Sequence, residues 1–303
     1  MASNLAGLRL HWPIVLDPNP LATEIHLMAL DPKAVGLEGT PTERSWNFKD
    51  AILYSLGVGF GIDDLPFSTE KNQLVPPTFA VIVGMGGIPF DKIGSFNFAM
   101  LVHGEQAIEV FGAIPPNGKV RTTGKVAGIY DKGKAGLVVF ECESKDAETG
   151  ELRFRNRMSA FIRGAGGFGG DPGPKAPPFE APSRKPDHEV TYQTRDDQAL
   201  IYRLSGDMNP LHSDPDLAKS VGFPKPILHG LCTYGFTGRA LLSALCKNDV
   251  TRFRSMEGRF SKPVFPGQAV TVKMWVDGQT AVFQTHNPDG DVVLDQGKFG
   301  FAG

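Results

Sequence analysis

Ala199-Leu-Ile-Tyr-Arg-Leu204 has a twin in the same chain, Ala51-Ile-Leu-Tyr-Ser-Leu56. Alanine, tyrosine and leucine recur at the same offsets, with an apolar pair between them. Each phrase follows a helix-capping residue that has an acid three positions on, Asn47 with Asp50 and Thr194 with Asp197, so each reads as the start of a helix. Later landmarks repeat too. Ala113-Ile-Pro-Pro-Asn-Gly118 parallels Val264-Phe-Pro-Gly267, and each turn leads into alternating residues of a strand, in the second case Ala269-Val-Thr-Val-Lys-Met-Trp-Val276. The order helix, loop, helix, strands thus runs twice. Duplication is the economical explanation; chance similarity of short apolar runs is the alternative.

Between the copies lies Gly164-Ala-Gly-Gly-Phe-Gly-Gly170, then Asp171-Pro-Gly-Pro-Lys-Ala-Pro-Pro178. Glycine and proline at this density disfavour helix and strand alike. The expected division is 1–163, a linker at 164–187, and 188–303. Each half holds one central apolar helix candidate; the second begins near Gly230 and includes Leu231, Tyr234, Phe236, Leu241, Leu242 and Leu245. Alternating runs such as Gly136–Glu143 and Ala281–Thr285 supply strands. Strands wrapped around one helix make an α+β unit.

The 303 residues suffice for two ordinary domains, and the composition is that of a soluble globular protein. A formal net charge of −2 gives no reason to expect nucleic acid as a partner. No apolar run approaches the roughly 18–20 residues of a membrane span. Met1–Leu10 lacks a signal-peptide pattern. Three scattered cysteines, Cys142, Cys232 and Cys246, have no zinc spacing and read as reduced thiols of an intracellular compartment.

The chemistry concentrates in Tyr202-Arg-Leu-Ser-Gly-Asp-Met-Asn-Pro-Leu-His212. Gly206, Asn209 and Pro210 are turn residues, and they allow Asp207 and His212 to converge on one small volume. A carboxylate and an imidazole sharing a water are what addition or removal of water needs. Taken singly, Asp207 caps a turn and His212 caps a helix beginning after Pro215; the whole phrase carries more than a turn requires. Asn209 would orient the pair or an acyl chain.

Pro226-Ile-Leu-His-Gly230 reads as a helix start. A glycine there lets a thioester carbonyl approach the Gly230 N–H, where a well-aimed donor contributes about 3 kcal/mol to a barrier. His229 alone reads as a buried, hydrogen-bonded core histidine. Gly164-x-Gly166-x-x-Gly169 matches the dinucleotide fingerprint in form, but Asp171-Pro-Gly-Pro follows in place of a helix, which argues against nucleotide binding. Gly57-Val-Gly-Phe-Gly61 lacks the Lys-Ser/Thr of a phosphate loop and reads as a helix end. Cys232 falls inside an apolar helical run and reads as structural. No metal-ligand motif is present, so no metal is expected.

The Tyr202–His212 phrase, followed by Ala218, resembles the signature of the (R)-specific 2-enoyl-CoA hydratases, the hydratase 2 or MaoC-like group. Pro226–Gly230, Arg259-Phe-Ser-Lys-Pro-Val-Phe-Pro-Gly267 and Gly166-Gly-Phe-Gly-Gly170 are similar as well. The likeness covers nearly the whole chain and is closest to the eukaryotic double-hot-dog form found in peroxisomal multifunctional enzyme type 2. It implies two tandem hot-dog domains, with two sheets side by side and two long helices packed on them. It implies catalysis in the second half by Asp207, His212, the Gly230 N–H and Asn209. The first half, with Gly57–Gly61 where the second has Ser205–Asn209, would shape an acyl tunnel.

The resemblance further implies CoA or acyl contacts at His103, Gly104, Lys132, Met208, Pro210, Leu211 and Phe260. Its expected activity is reversible syn hydration of trans-2-enoyl-CoA to (3R)-3-hydroxyacyl-CoA in fatty acid β-oxidation. No cofactor is needed, because CoA belongs to the substrate. A homodimer and a peroxisome are implied, although Phe301-Ala-Gly303 is no Ser-Lys-Leu signal. The chain has no dehydrogenase or sterol-carrier region and reads as a stand-alone hydratase. A carrier-protein-linked dehydratase of fatty acid synthesis, a thioesterase and a non-catalytic acyl-CoA-binding protein are the rival readings.

Overall fold

The computed structural model describes residues 29–174 and 179–303. Met1–Leu10, and Lys175–Pro178 of the expected linker, lie outside the described residues.

Apart from a small two-stranded pair, Ala29–Leu30 with Gly94–Ser95, the strands of the first half are β1 (Thr42–Trp46), β2 (Leu101–Val110), β3 (Gly118–Asp131), β4 (Ala135–Asp146) and β5 (Leu152–Arg163). In the second they are β6 (His188–Gln193), β7 (Phe253–Phe260), β8 (Ala269–Asp277), β9 (Thr280–His286) and β10 (Val292–Phe301). Their sequences alternate as strands do. In β3, Val120, Thr122, Gly124 and Val126 are buried while Lys119, Arg121 and Lys125 face solvent.

All ten join one antiparallel sheet in the order β1-β3-β4-β5-β2-β7-β10-β9-β8-β6. Read from either end, that order visits the first, third, fourth, fifth and second strand of a half. The sheet is therefore a palindrome, which chance similarity of apolar runs does not produce. The expected pair of sheets fuses at the middle, where β2 pairs with β7 through Glu105–Arg259, Ala107–Glu257 and Glu109–Ser255. The fold is a double hot dog.

Helix α1 (Phe48–Gly57) starts as expected: the Asn47 side chain accepts from the Lys49 N–H at 2.9 Å, and Asp50 accepts from the Asn47 N–H at 2.8 Å. The matching cap at Thr194 does not form. The Thr194 hydroxyl donates instead to the Gln268 carbonyl at 2.6 Å, and Asp197 pairs with Arg195 at 2.8 Å. The turn before β8 offers Thr194 a carbonyl acceptor, and the hydroxyl takes it.

A second correction concerns the central helices. In the first half the helix is a single turn, α2 (Ala80–Val83), because Gly84-Met-Gly-Gly-Ile-Pro89 cannot continue it. Ile93, with Phe90 and Phe96 packed beside it, covers the strand residues Val126, Val138, Phe140, Met158 and Ile162 in its place.

The second half follows expectation. After α3 (Gln198–Tyr202) and α4 (Pro215–Ser220) comes α5 (Gly230–Cys246), 17 residues long. Tyr234, Phe236, Leu241 and Leu242 on it are essentially unexposed, as befits a helix apolar on most of its circumference. Gly235 lets the first half come close, since a Cβ there would stand 2.3 Å from Val58.

The twin phrases meet at this junction. The Tyr54 and Tyr202 rings lie 6.1 Å apart, and Gln198 Nε2 donates to the carbonyls of Leu56 and Gly57 at 3.0 and 2.7 Å. Arg239 of α5 adds an ion pair to Asp64 at 2.6 Å and stacks over the Tyr192 ring at 3.9 Å. No helix among the described residues is long and apolar enough to cross a membrane.

Candidate active site

A chain of local bonds shapes the segment after α3. A turn of 3-10 helix over Arg203–Ser205 ends at Gly206, whose φ of 133° is open to glycine and costly for other residues. The Asn209 N–H then donates to the Asp207 carboxylate at 3.1 Å. The Asn209 side chain accepts from the Leu211 N–H at 3.0 Å and starts a second short turn, Pro210–His212. So Asn209 fixes the carboxylate through its backbone and the turn through its side chain. The helix after Pro215 is capped by Asp214, which accepts from Asp216 and Leu217, and not by His212.

His212 is thereby released to face inward, and it is buried. Its Nδ1 lies 2.8 Å from the Ile227 carbonyl. A carbonyl only accepts, so Nδ1 carries the proton and Nε2 keeps a free lone pair. Ligating atoms of Asp207, His212 and His229 all lie within 4.8 Å of one another. Burial pushes the His212 imidazole below its ordinary range, partly offset by the Asp207 carboxylate, while the Arg203 guanidinium depresses it further. The ring is therefore neutral at neutral pH.

This trio does not suit a metal. The His212 and His229 rings stack at 3.7 Å with planes 28° apart, so their in-plane lone pairs do not converge on one point. His229 Nε2 is moreover occupied by the Asp207 main-chain carbonyl at 3.1 Å.

Gly230 is the first residue of α5, and it is exposed. The amides of Cys232 and Thr233 turn back to the His229 carbonyl. Those of Gly230 and Leu231 are among the N-terminal amides that a helix leaves without an intrahelical partner. A Cβ on Gly230 would stand 3.2 Å from the Phe260 ring. Across the β2–β7 seam the His103 ring meets Phe260 edge-on at 5.2 Å, and burial pushes His103 down to about 4. Its Nε2 lies 3.1 Å from the Glu105 carbonyl, across a bulge that contains Gly104. Both halves thus furnish the wall beside Gly230.

Of the remaining expected contacts, Met208 is exposed, and Pro210 and Leu211 are half-buried beside the Asp207 turn. Lys132 lies between β3 and β4. Its ammonium is bonded to the Pro172 carbonyl and sits 5.8 Å over the Tyr130 ring, so the linker already engages it.

The glycine run that imitates a nucleotide fingerprint is occupied by the protein itself. The Asp131 carboxylate accepts from Gly167 at 2.9 Å and Gly169 at 2.8 Å. Cys232 is fully buried, burial pushes its thiol well up, and its S–H points at the Gly57 carbonyl at 3.2 Å, so it is structural. Sequence reasoning missed two neighbours, Arg203 and the tie from His229 to the Asp207 loop. The first lies inside the quoted phrase, and the second adjoins Gly230.

Both halves of the chain resemble known proteins. Residues 178–297 match the MaoC like domain, and residues 45–164 match the MFE-2 hydratase 2 N-terminal domain. The chain is 44% identical over 283 residues to 3-hydroxyacyl-thioester dehydratase Y of Mycobacterium tuberculosis, covering 89% of this chain and 98% of that one. The chain belongs to the MaoC-like hydratase 2 family.

Another member, a probable enoyl-CoA hydratase 2 of Dictyostelium discoideum, is 41% identical over 88% of this chain and 94% of its own. Among solved structures, a MaoC-like dehydratase from Phytophthora capsici superposes with a TM-score of 0.81 at 35% identity, over 90% of this chain and 98% of that one. The long helix and the Asp207–His212 turn both fall in the MaoC-like half of this hydratase 2 chain.

Proposed function

We propose that this protein is an (R)-specific 2-enoyl-CoA hydratase, adding water reversibly to trans-2-enoyl-CoA to give (3R)-3-hydroxyacyl-CoA. The observation that carries the reading is the pairing of an Asp207 carboxylate with a His212 ring whose Nδ1–H is fixed by Ile227 and whose Nε2 is free. A base of that tautomer, beside a carboxylate and an exposed helix-start amide, is the equipment of hydration at a polarised thioester.

The thioester oxygen takes the Gly230 N–H, which draws electrons from the double bond and makes C3 electrophilic. Water held between Asp207 and His212 forms the new C3–O bond and gives up one proton to the pair. The pair returns a proton to C2 on the same face, so it ends as it began. Dehydration is the same path reversed. Nothing is oxidised or reduced, and the chemistry calls on no metal or cofactor beyond the CoA of the substrate.

The division of labour in this proposal follows the duplication. The half at 188–303 holds the reacting groups, and the half at 1–163 adds its own walls to the acyl and CoA path, with 164–187 between them. Met208, Pro210, Leu211, Phe260, His103 and Gly104 line that path, and Lys132 meets a CoA phosphate by leaving Pro172. The family resemblance supports a homodimer working in fatty acid breakdown, in a peroxisome.

The test is direct. Purified protein is mixed with trans-2-enoyl-CoA of four and of ten carbons, and loss of the enoyl-thioester absorbance and product chirality are followed. A (3R)-hydroxyacyl-CoA product is expected. No loss with either substrate, or release of free CoA thiol, overturns the reading.

A further inference from the structure

The groups assigned to hydration lie on two segments, the Asp207–His212 turn and the start of α5 at Gly230, and His229 joins the two. His229 is 1% exposed. Its Nε2–H donates to the Asp207 main-chain carbonyl at 3.1 Å. Its ring lies on the His212 ring at 3.7 Å and leans on Tyr202 at 5.0 Å. Its peptide bond leads into Gly230, and its own carbonyl accepts the Cys232 and Thr233 amides that open α5.

The arrangement is costly as plain core packing. His229 stands at the N-cap of α5, where Ser, Thr, Asp or Asn would bond the free amides, yet its side chain makes no capping bond. Its Nδ1 is buried without a hydrogen-bond partner. A leucine or phenylalanine would fill such a space without burying an unpaired ring nitrogen. What the imidazole alone adds is one directed N–H, spent on the Asp207 loop. Burial and the neighbouring His212 hold it well below the ordinary imidazole range, so it stays neutral and keeps that proton on Nε2.

We infer that His229 is a positioning residue for the hydration, fixing the Asp207 carbonyl and the His212 ring plane relative to the Gly230 amide. The inference rests on the hydratase reading above. His229 does not touch the reacting atoms. It sets the spacing between the water-holding pair and the amide that receives the thioester oxygen, a spacing on which in-line attack depends steeply.

Four proteins decide the matter: wild type, His229→Phe, His229→Gln and His229→Met, each assayed for kcat and KM with four-carbon trans-2-enoyl-CoA and for Tm. Phenylalanine keeps the ring stack and loses the N–H; glutamine restores a donor near the Nε2 position. The expected result is a kcat lower by on the order of 10²-fold in His229→Phe with little change in KM or Tm. His229→Gln should recover at least about ten-fold of that loss. Where the phenylalanine variant does not fold, glutamine against methionine gives the same comparison.

A phenylalanine variant as fast as wild type overturns the inference. So does a folded glutamine variant no faster than a folded phenylalanine or methionine one. An inactive wild type would instead remove the hydratase reading on which it rests.

Discussion

His212 Nδ1 and the Ile227 carbonyl oxygen stand 2.8 Å apart, and this one contact decides which end of the ring does chemistry. It leaves Nε2 as the base, and the base must be neutral to act. Burial has already moved the ring below its usual value of about 6.5. On lowering the pH, kcat/KM should therefore hold through the usual imidazole range and fall only below it. Arg203 contributes to the depression, so Arg203→Gln should move the acid limb back toward higher pH. A pH–rate profile of both proteins checks the sign. His212→Ala and Asp207→Asn should each lower kcat by about 10²–10⁴-fold, and the isosteric Asp207→Asn should do so with Tm nearly unchanged.

Gly230→Ala tests the helix-start amide. The new methyl would press on Phe260 at 3.2 Å and crowd the approach to the N–H. We expect kcat/KM to fall by about ten- to a hundred-fold. Phe260→Leu in the same chain should return part of it, and a double-mutant cycle measures the coupling. Additive effects would show that the two residues do not share the site.

The Asp64–Arg239 pair fastens the first half to the long helix, with side chains 16% and 13% exposed. Arg239→Met leaves the Asp64 carboxylate without its partner and should cost about 3–5 kcal/mol in urea unfolding. Adding Asp64→Asn should recover much of that loss, because the stranded charge is gone.

His103 makes stability depend on pH. Its folded value is about 4 against about 6.5 unfolded. The unfolded chain then binds the extra proton between those limits, and stability falls as pH drops from about 6.5 to about 4. The whole effect is on the order of 3 kcal/mol. His103→Gln should make the fall of the urea midpoint across that window shallower than in wild type, with His212 and His229 supplying the remainder; an unchanged slope would deny that His103 titrates low in the folded protein.

The sequence was most legible where a residue has few conformational options. Asn47 with Asp50 forms its cap, the run from Gly230 forms its helix, and the alternation in Ala269–Val276 forms β8. It was least legible where a distant segment competes for a local group. Thr194 gives its hydroxyl to Gln268, 74 residues away, and no local pattern foretells that. The first half's missing long helix was written in Gly84–Pro89, whose glycines and proline stop the turn begun at Ala80. Asp207 and His212 were visible because their turn is contiguous. His229 was visible only as a core histidine, since its tie to Asp207 spans 22 residues and uses a main-chain oxygen.

The seam between Glu105–Glu109 and Ser255–Arg259 has an evolutionary consequence. Two separate copies of one half, meeting there around a dyad, would be bound to identity: any change on one side would be made on the other. Joined in one chain, the sides drift apart freely. One could keep Asp207 and His212 in a turn ahead of a full-length helix while the other gave up the counterpart of both and kept only a single helical turn. Symmetry survives in the strands, where hydrogen bonding enforces it, and has lapsed where only chemistry had required it.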